Sequence, residues 1–195
     1  MVDERRGGAR EADERVVLHG VTWGRYVVIR ELLEDQRGLR MTYLEGTLEI
    51  MSPSTEHERD KKFIARLIET WAVAKRIRIN GYGSATFRKE AEQRGAEPDE
   101  CYVVGGLLQE VPDIAVEVMV TSGGIDKLAV YAGLGVPEVW FYQRGRFSIH
   151  RLGATGYELV LRSALLPDLD LEVLARFAAY EDQTDAVLAL LESLR

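Results

Sequence analysis

Acidic residues are concentrated in one stretch of the sequence, residues 97–126, whose composition favours metal-ion chemistry. This stretch holds seven acids and no lysine or arginine, and the next residue is Lys127. Within it, Glu117 interrupts an otherwise apolar segment, residues 114–120, that is typical of a buried strand. A buried acid is costly unless it is paired or binds a metal. The pattern therefore predicts a metal site with one lysine beside it.

Asp99, Glu117 and Lys127 are the residues that we expect to form this site. Asp99 and Glu117 lie on consecutive predicted strands, and neighbouring strands place side chains of one face about 5 Å apart. Two carboxylates at that separation repel each other unless a divalent cation lies between them, and oxygen ligands favour Mg²⁺ or Mn²⁺. Two carboxylates that hold a divalent cation, together with a lysine that positions water or stabilises a phosphate, are groups suited to hydrolysing a phosphodiester.

Structural explanations compete with this interpretation for several residues. Asp113 follows a proline and is expected to cap a turn, and Asp126 is expected to cap a helix. For Asp99, function and turn structure are both open, and Lys127 taken alone is compatible with an ordinary exposed helix lysine. A single histidine in a first helical turn, such as His57, is more often a capping or packing residue than a ligand.

The overall composition narrows the class of protein. The chain has 195 residues, 46% of them hydrophobic, which is enough for one domain with its own core. A single cysteine, Cys101, rules out an internal disulfide, and the three histidines form no zinc-binding pattern. No apolar run approaches the roughly 20 residues that span a bilayer. We therefore expect a cytoplasmic protein with a mobile tail over residues 1–15 and a single domain over residues 16–195.

The distribution of positive charge leaves two explanations open. The net charge is −7, yet residues 59–94 contain ten cations against four acids. This segment is either a solvated helix face followed by a charged loop or a rim that binds phosphates. For the second explanation, the candidate nucleic-acid-binding residues are Lys61, Lys62, Arg88 and Lys89.

Hydrophobic periodicity predicts an α/β fold, a mixed β-sheet flanked by helices with an added N-terminal helix and hairpin. The predicted helices are residues 21–35, 56–75, 126–134 and 185–194, with a short helix after residue 171. The predicted strands are residues 77–89, 97–104, 111–121 and 136–142, with residues 91–95 as a loop and hairpins over residues 39–51 and 146–162.

Several linked motifs resemble one known family. They are Glu-Pro-Asp-x-x-Tyr at residues 97–102, Pro-Asp-Ile-Ala-Val-Glu-Val at 112–118, and Asp-Lys-Leu-x-x-Tyr-x-x-Leu-Gly-Val-Pro-Glu-Val-Trp at 126–140. Together with residues 44–54 and His57, they resemble the Uma-two family of restriction-endonuclease-like proteins. The resemblance extends over residues 22–177 and implies a place in the PD-(D/E)XK nuclease superfamily.

The resemblance implies roles for particular residues. Asp99 takes the place of the metal-binding aspartate and Glu117 that of the acid in (D/E)-x-K, but Met119 occupies the usual lysine position. The resemblance implies that the lysine has moved to the following helix, as Lys127, and Glu49 and His57 are accessory candidates.

The function expected from this resemblance is metal-dependent hydrolysis of DNA, as an endonuclease. The alternative is a nuclease fold that binds nucleic acid or protein without cutting. A homodimer is expected because paired sites suit double-strand cleavage.

Overall fold

The computed structural model describes residues 12–36, 38–120 and 124–195. The described helices are α1 (Trp23–Leu32), α2 (Thr55–Lys75), α3 (Lys127–Leu134), α4 (Leu171–Ala178) and α5 (Gln183–Ser193). The described strands are β1 (Glu14–His19), β2 (Arg40–Leu44), β3 (Thr47–Ser52), β4 (Ile79–Gly81), β5 (Phe87–Lys89), β6 (Arg94–Ala96), β7 (Glu100–Val104), β8 (Ile114–Val118), β9 (Glu138–Gln143), β10 (Arg146–Gly153) and β11 (Gly156–Val160).

A six-stranded mixed sheet carries the centre of the molecule. Its strand order is β11-β10-β9-β8-β7-β4, and β8 and β9 are its parallel pair. Parallel neighbours need a crossover connection, which here contains α3. One face of this sheet, including Ile114, Val116 and Val118, packs against α2, α4 and α5. The opposite face, including Ala115, packs against α3. Since side chains alternate along a strand, Glu117 lies on the α3 side.

A second, five-stranded antiparallel sheet lies beside the first, with the order β1-β3-β2-β6-β5. Helix α1 covers it with Tyr26, which stacks on Tyr43 at a centroid distance of 4.7 Å. Helix α3 contacts β2, β5 and β6 of this sheet as well as the six-stranded sheet. The residues at the start of α3 are therefore held between two sheets.

Two helix N-termini are fixed by side-chain caps and determine where site residues lie. Ser54 caps α2, and its hydroxyl accepts a hydrogen bond from the backbone N–H of His57. Asp126 caps α3, and its carboxylate accepts from the N–H of Ala129 at 3.2 Å. Lys127 is therefore the first residue of α3, where its side chain reaches past the helix end.

The α/β class is confirmed, and three details differ from the sequence prediction. The predicted strand 77–89 is wrong, because β4 and β5 belong to different sheets and Gly83, with φ of +58°, lies between them. The predicted loop 91–95 is also wrong, since residues 90–92 form a 3-10 turn and β6 begins at Arg94. One mixed sheet was expected, and the chain divides its strands between two.

The predicted mobile tail also needs correction at its end. Residues 14 and 15 begin β1, which pairs antiparallel with β3 over its whole length, so a tail that extends to residue 15 is wrong. Residues 1–11 lie outside the described residues. The single domain over residues 16–195 stays a prediction. No helix of the described ranges is both long and apolar enough to cross a membrane.

Candidate active site

Glu117 lies in the middle of the predicted site, buried near the end of β8. The hydroxyl of Tyr131 donates a hydrogen bond to Oε1 of Glu117. The ammonium nitrogen of Lys127 lies 3.3 Å from the same oxygen. Both partners belong to α3, whose first turns pass over this face of the sheet. The helix thus supplies Glu117 with one neutral donor and one cation.

Asp99 precedes β7 and lies opposite Glu117. The pairing of β7 with β8 places Glu100 against Val116, and one further step along this antiparallel register places Asp99 against Glu117. The backbone N–H of Val118 donates to Oδ2 of Asp99 at 2.8 Å. The two carboxylates therefore share one face of the sheet, and their joint role as a site stays a prediction.

His57 connects Asp99 to the N-terminal segment of the chain. Its Nε2 lies 2.9 Å from Oδ1 of Asp99, although the N–H is not well aligned for a hydrogen bond. Its Nδ1 lies 3.2 Å from Oδ2 of Asp13. The side chains of His57 and Asp13 are each only 1% exposed. Three buried side chains thus form a continuous row of carboxylate, imidazole and carboxylate.

The charges of this row shift the ionisation of its members in opposite directions. Burial lowers the pKa of His57, but the carboxylates of Asp99 and Asp13 outweigh burial and raise this pKa to about 9. Burial raises the pKa of Asp99, but His57, the Val118 N–H and Lys127 together hold it below its ordinary value. His57 is therefore a cation at neutral pH, and Asp99 is an anion.

Glu117 responds differently to the same surroundings. Burial raises its pKa, and Lys127 opposes this effect while the charge of Asp99 reinforces it, so that the net shift is upward. Burial and the neighbouring Glu117 raise the pKa of Tyr131 as well, which keeps its hydroxyl a donor. Two carboxylates pushed in opposite directions are typical of sites that bind cations or transfer protons.

A cleft of about 300 Å³ opens beside Glu117. Its charged lining includes Arg15, Glu49, Glu117 and Lys127, and Met119 is part of the lining too. Asp99 and His57 do not line this cleft, and both are buried. A substrate in the cleft would meet Glu117 and Lys127 directly.

Glu49, one of the two accessory candidates, fixes the loop before α3. Its Oε2 accepts a hydrogen bond from the backbone N–H of Ile125 at 3.2 Å and lies 3.7 Å from Nε of Arg15. Glu49 thus lines the cleft, and His57 contacts Asp99 outside the cleft lining, while their accessory roles stay a prediction. Lys127 approaches Glu117 from α3, whereas Met119 lines the cleft just after the end of β8.

The candidate nucleic-acid-binding residues are placed elsewhere. None of Lys61, Lys62, Arg88 and Lys89 lines the cleft. Lys61 pairs with Glu58 at 3.0 Å, and Lys89 lies 3.7 Å from Glu92. Their contact with nucleic acid stays a prediction.

Three residues at the site were not found by sequence reasoning: Asp13, Arg15 and Tyr131. Asp13 and Arg15 fall in the stretch predicted as tail, and Tyr131 lies in the motif at residues 126–140 without having been singled out as a site residue. The short apolar run of Val16, Val17 and Leu18, with two β-branched residues, is the weak strand signal that could have shown that this segment is ordered. For Tyr131, its position four residues after Lys127 in one helix places both on one face.

The donor set agrees with a hard divalent cation that keeps several waters. Within the described ranges, no group of three or more His, Cys, Asp or Glu residues is arranged to hold a metal ion. Mg²⁺ is commonly bound by only one or two carboxylates, with water and substrate phosphate as its other ligands. Asp99 and Glu117 fit that mode, because they are opposed carboxylates whose repulsion a cation would relieve.

The family model of the Uma2 proteins, described as "Putative restriction endonuclease", matches residues 29–181. The chain therefore belongs to the Uma2 family, which is the Uma-two family that its motifs resemble. No curated protein matches the sequence. Among solved structures, a "putative nuclease belonging to DUF820" from Anabaena variabilis ATCC 29413 is similar, with a TM-score of 0.47 and 13% identity. The match covers 77% of this chain and 90% of that one.

Proposed function

We propose that this protein is a Mg²⁺- or Mn²⁺-dependent endonuclease that hydrolyses phosphodiester bonds of DNA. The observation that carries the proposal is the meeting of three predicted residues from three elements. Lys127 lies 3.3 Å from Glu117 at the cleft, and Asp99 lies opposite Glu117 in the sheet register. Membership of a family of nuclease-like proteins supports the same class of reaction.

Each residue of the site has a separate task in this proposal. Asp99 and Glu117 are the residues that would hold the cation. When bound, the cation supplies positive charge to a phosphate and lowers the pKa of water. Lys127 favours the ionised form of Glu117 and adds a positive charge at the cleft, where it would orient a phosphate or water. Arg15 is a second cation in the cleft lining.

The test is the Glu117→Gln variant, assayed by calorimetric titration with Mn²⁺ and by plasmid nicking. We expect nicking to fall by roughly 100-fold or more, about 3 kcal/mol in activation free energy, because a neutral amide neither neutralises nor holds the cation. Folding should survive, since the amide oxygen still accepts from Tyr131. Mn²⁺ binding should be lost in the same variant.

Glu138→Gln is the matched control. Glu138 is also buried, but it does not line the cleft and it binds neutral donors: Trp140 Nε1, Ser163 Oγ and the Ala164 N–H. This variant should lose about 2 kcal/mol of stability while its folded fraction still nicks DNA. Undiminished metal-dependent nicking by Glu117→Gln would refute the assignment of Glu117.

The alternative is a module that binds nucleic acid or protein without cutting. The contact between His57 and Asp99 favours it, because the imidazolium already neutralises one of the two carboxylates without a metal. DNA binding that is indifferent to divalent metal, with no cleavage of any substrate, would establish this alternative. The homodimer and the cytoplasmic location stay predictions, and sedimentation would test the first.

A further inference from the structure

Asp13 is a buried acid in a part of the chain that the family match does not include. The match begins at residue 29, whereas Asp13 immediately precedes β1. Its Oδ1 accepts a hydrogen bond from the backbone N–H of Ser54 at 2.9 Å. Its Oδ2 lies 3.2 Å from Nδ1 of His57. One carboxylate thus binds both the N-cap residue of α2 and the imidazole in the first turn of that helix.

A role limited to capping α2 does not account for these contacts. The hydroxyl of Ser54 already accepts the N–H of His57 and caps the helix. The second oxygen of Asp13 instead reaches the ring nitrogen that faces away from Asp99. The contact at one ring nitrogen fixes the orientation of the imidazole and thereby the direction of the other nitrogen. Asp13 therefore determines which way Nε2 of His57 points.

The orientation of His57 matters because Asp99 is held from two sides. Nε2 of His57 lies 2.9 Å from Oδ1 of Asp99, and the Val118 N–H donates to Oδ2 at 2.8 Å. The side chain of Asp99 is 2% exposed, so water cannot replace either contact easily. If the ring rotates, Asp99 loses one of the two contacts that keep it opposite Glu117.

We propose that Asp13 is a positioning residue of the site: it orients His57, which in turn holds Asp99 in the geometry needed beside Glu117. The inference rests on the proposed function, since it concerns the same two carboxylates. The proposal gives a role in the site to Asp13, which precedes the family match and lies outside the family motifs.

The experiment compares Asp13→Ala and Asp13→Asn with Glu14→Gln. Glu14 is the adjacent acid and its side chain is exposed, so its variant controls for lost charge in the same segment. The readouts are the amide ¹H–¹⁵N signal of Val118, which reports the position of Asp99, the ring ¹⁵N signals of His57, and Mn²⁺ affinity by calorimetry. Nicking is measured as kcat and KM separately.

In Asp13→Ala we expect a displaced Val118 signal, Mn²⁺ affinity weakened by about 10- to 100-fold, and a lower kcat with KM little changed. Asp13→Asn should retain most of the wild-type values. Its amide oxygen still accepts from Ser54. The loss of one carboxylate beside His57 favours the neutral ring, whose Nδ1 then accepts from the amide nitrogen. Glu14→Gln should match the wild type in every readout.

Wild-type Val118 signals and Mn²⁺ affinity in Asp13→Ala would overturn the proposal. The proposal would also be overturned if the alanine and asparagine variants lost Mn²⁺ affinity and kcat equally, and if these losses were explained entirely by a lower unfolding temperature. If Asp13→Ala does not fold, Asp13→Leu keeps the volume without the hydrogen bonds and carries the same expectations. Absence of nicking by the wild type would refute the proposed function, and the Val118 and His57 signals would still decide the role of Asp13.

Discussion

Glu117 and Glu138 show at the scale of single residues that burial alone does not identify a functional acid. Both lie buried in neighbouring strands of one sheet. Among the described residues, Glu138 binds neutral donors, and these connect β9 to the segment at residues 163–164. Glu117 faces a cation, another carboxylate and an open cleft. The partners of a buried acid, and its access to a cavity, therefore separate a candidate site from a structural anchor.

The upward shift of the Glu117 pKa predicts that Mn²⁺ affinity depends on pH. The cation needs the ionised carboxylate, so affinity should fall as pH drops through this raised pKa and increase toward neutral pH. In Lys127→Met the opposing effect of the ammonium is lost, so the pKa rises further and the increase in affinity moves to higher pH. Calorimetry between about pH 5 and pH 8 measures both shifts.

A matched surface variant, Lys62→Met, should leave the pH dependence unchanged, because Lys62 does not line the cleft. The prediction for Lys127 would be contradicted by identical affinity curves for the wild type and Lys127→Met.

At the scale of elements, the segment that leads into α3 lies close against β3, and Gly124 is the residue at this contact. Gly124 has φ of +99°, and a Cβ placed on it would overlap the carboxylate of Glu49 and approach the Arg15 guanidinium. The Ile125 N–H binds the same carboxylate. Because Gly124 has no side chain, the residues before α3 can pass close to Glu49, whose carboxylate binds the Ile125 N–H.

Gly124→Ala should therefore destabilise the protein and weaken Mn²⁺ binding. Gly105→Ala is the control, because Gly105 also has positive φ, +74°, but no atom lies within 4 Å of an added Cβ. The control should cost about 1–2 kcal/mol from backbone strain alone, and Gly124→Ala clearly more. Denaturant unfolding measures the difference. Equal losses of stability would show that the Glu49 contact contributes nothing.

The elements also show why part of the site was predictable. Asp99 and Glu117 follow from two short strands that pair antiparallel, and Lys127 follows from a capped helix at the end of the next connection. The contact of Asp13 with His57 joins residues 44 positions apart, and no periodic pattern in the first residues signals it. The sequence did not reveal that β4 and β5 belong to different sheets. Glycines between apolar residues are compatible with a bulge within one strand and equally with a chain that crosses from one sheet to another.

At the scale of the whole molecule, part of the positive charge of residues 59–94 is used within the protein. Arg94 pairs with Glu45 at 2.9 Å, and Lys61 and Lys89 also contact acids. The cations lining the cleft are Arg15 and Lys127. Affinity for DNA should therefore depend only weakly on salt, with a slope of log K against log[salt] of about −2.

Fluorescence anisotropy on a duplex over a series of salt concentrations measures this slope. If the rim of Lys61, Lys62, Arg88 and Lys89 also contacts phosphates, the slope becomes about −5. Charge reversal at Lys62 would then reduce it, whereas a slope near −2 should not respond to that change.

The folded protein as a whole should lose stability at high pH. His57 has a pKa raised to about 9 from 6.5, so its ion pairs contribute fully below about pH 6.5 and are lost as pH rises through 9. The contribution is on the order of 3 kcal/mol. Unfolding temperatures should fall between these pH values in the wild type and less in Asp13→Asn, which lacks one of the two carboxylates. A flat profile would contradict the ion-pair assignment.

The first strand has a practical consequence for anyone who expresses this protein. A chain trimmed to the family boundaries, residues 29–181, would lack β1, Asp13 and Arg15. It would leave His57 open to water and deprive Glu49 of its arginine. Inactivity of such a fragment would reflect the missing strand and would give no information on whether the intact protein cuts DNA.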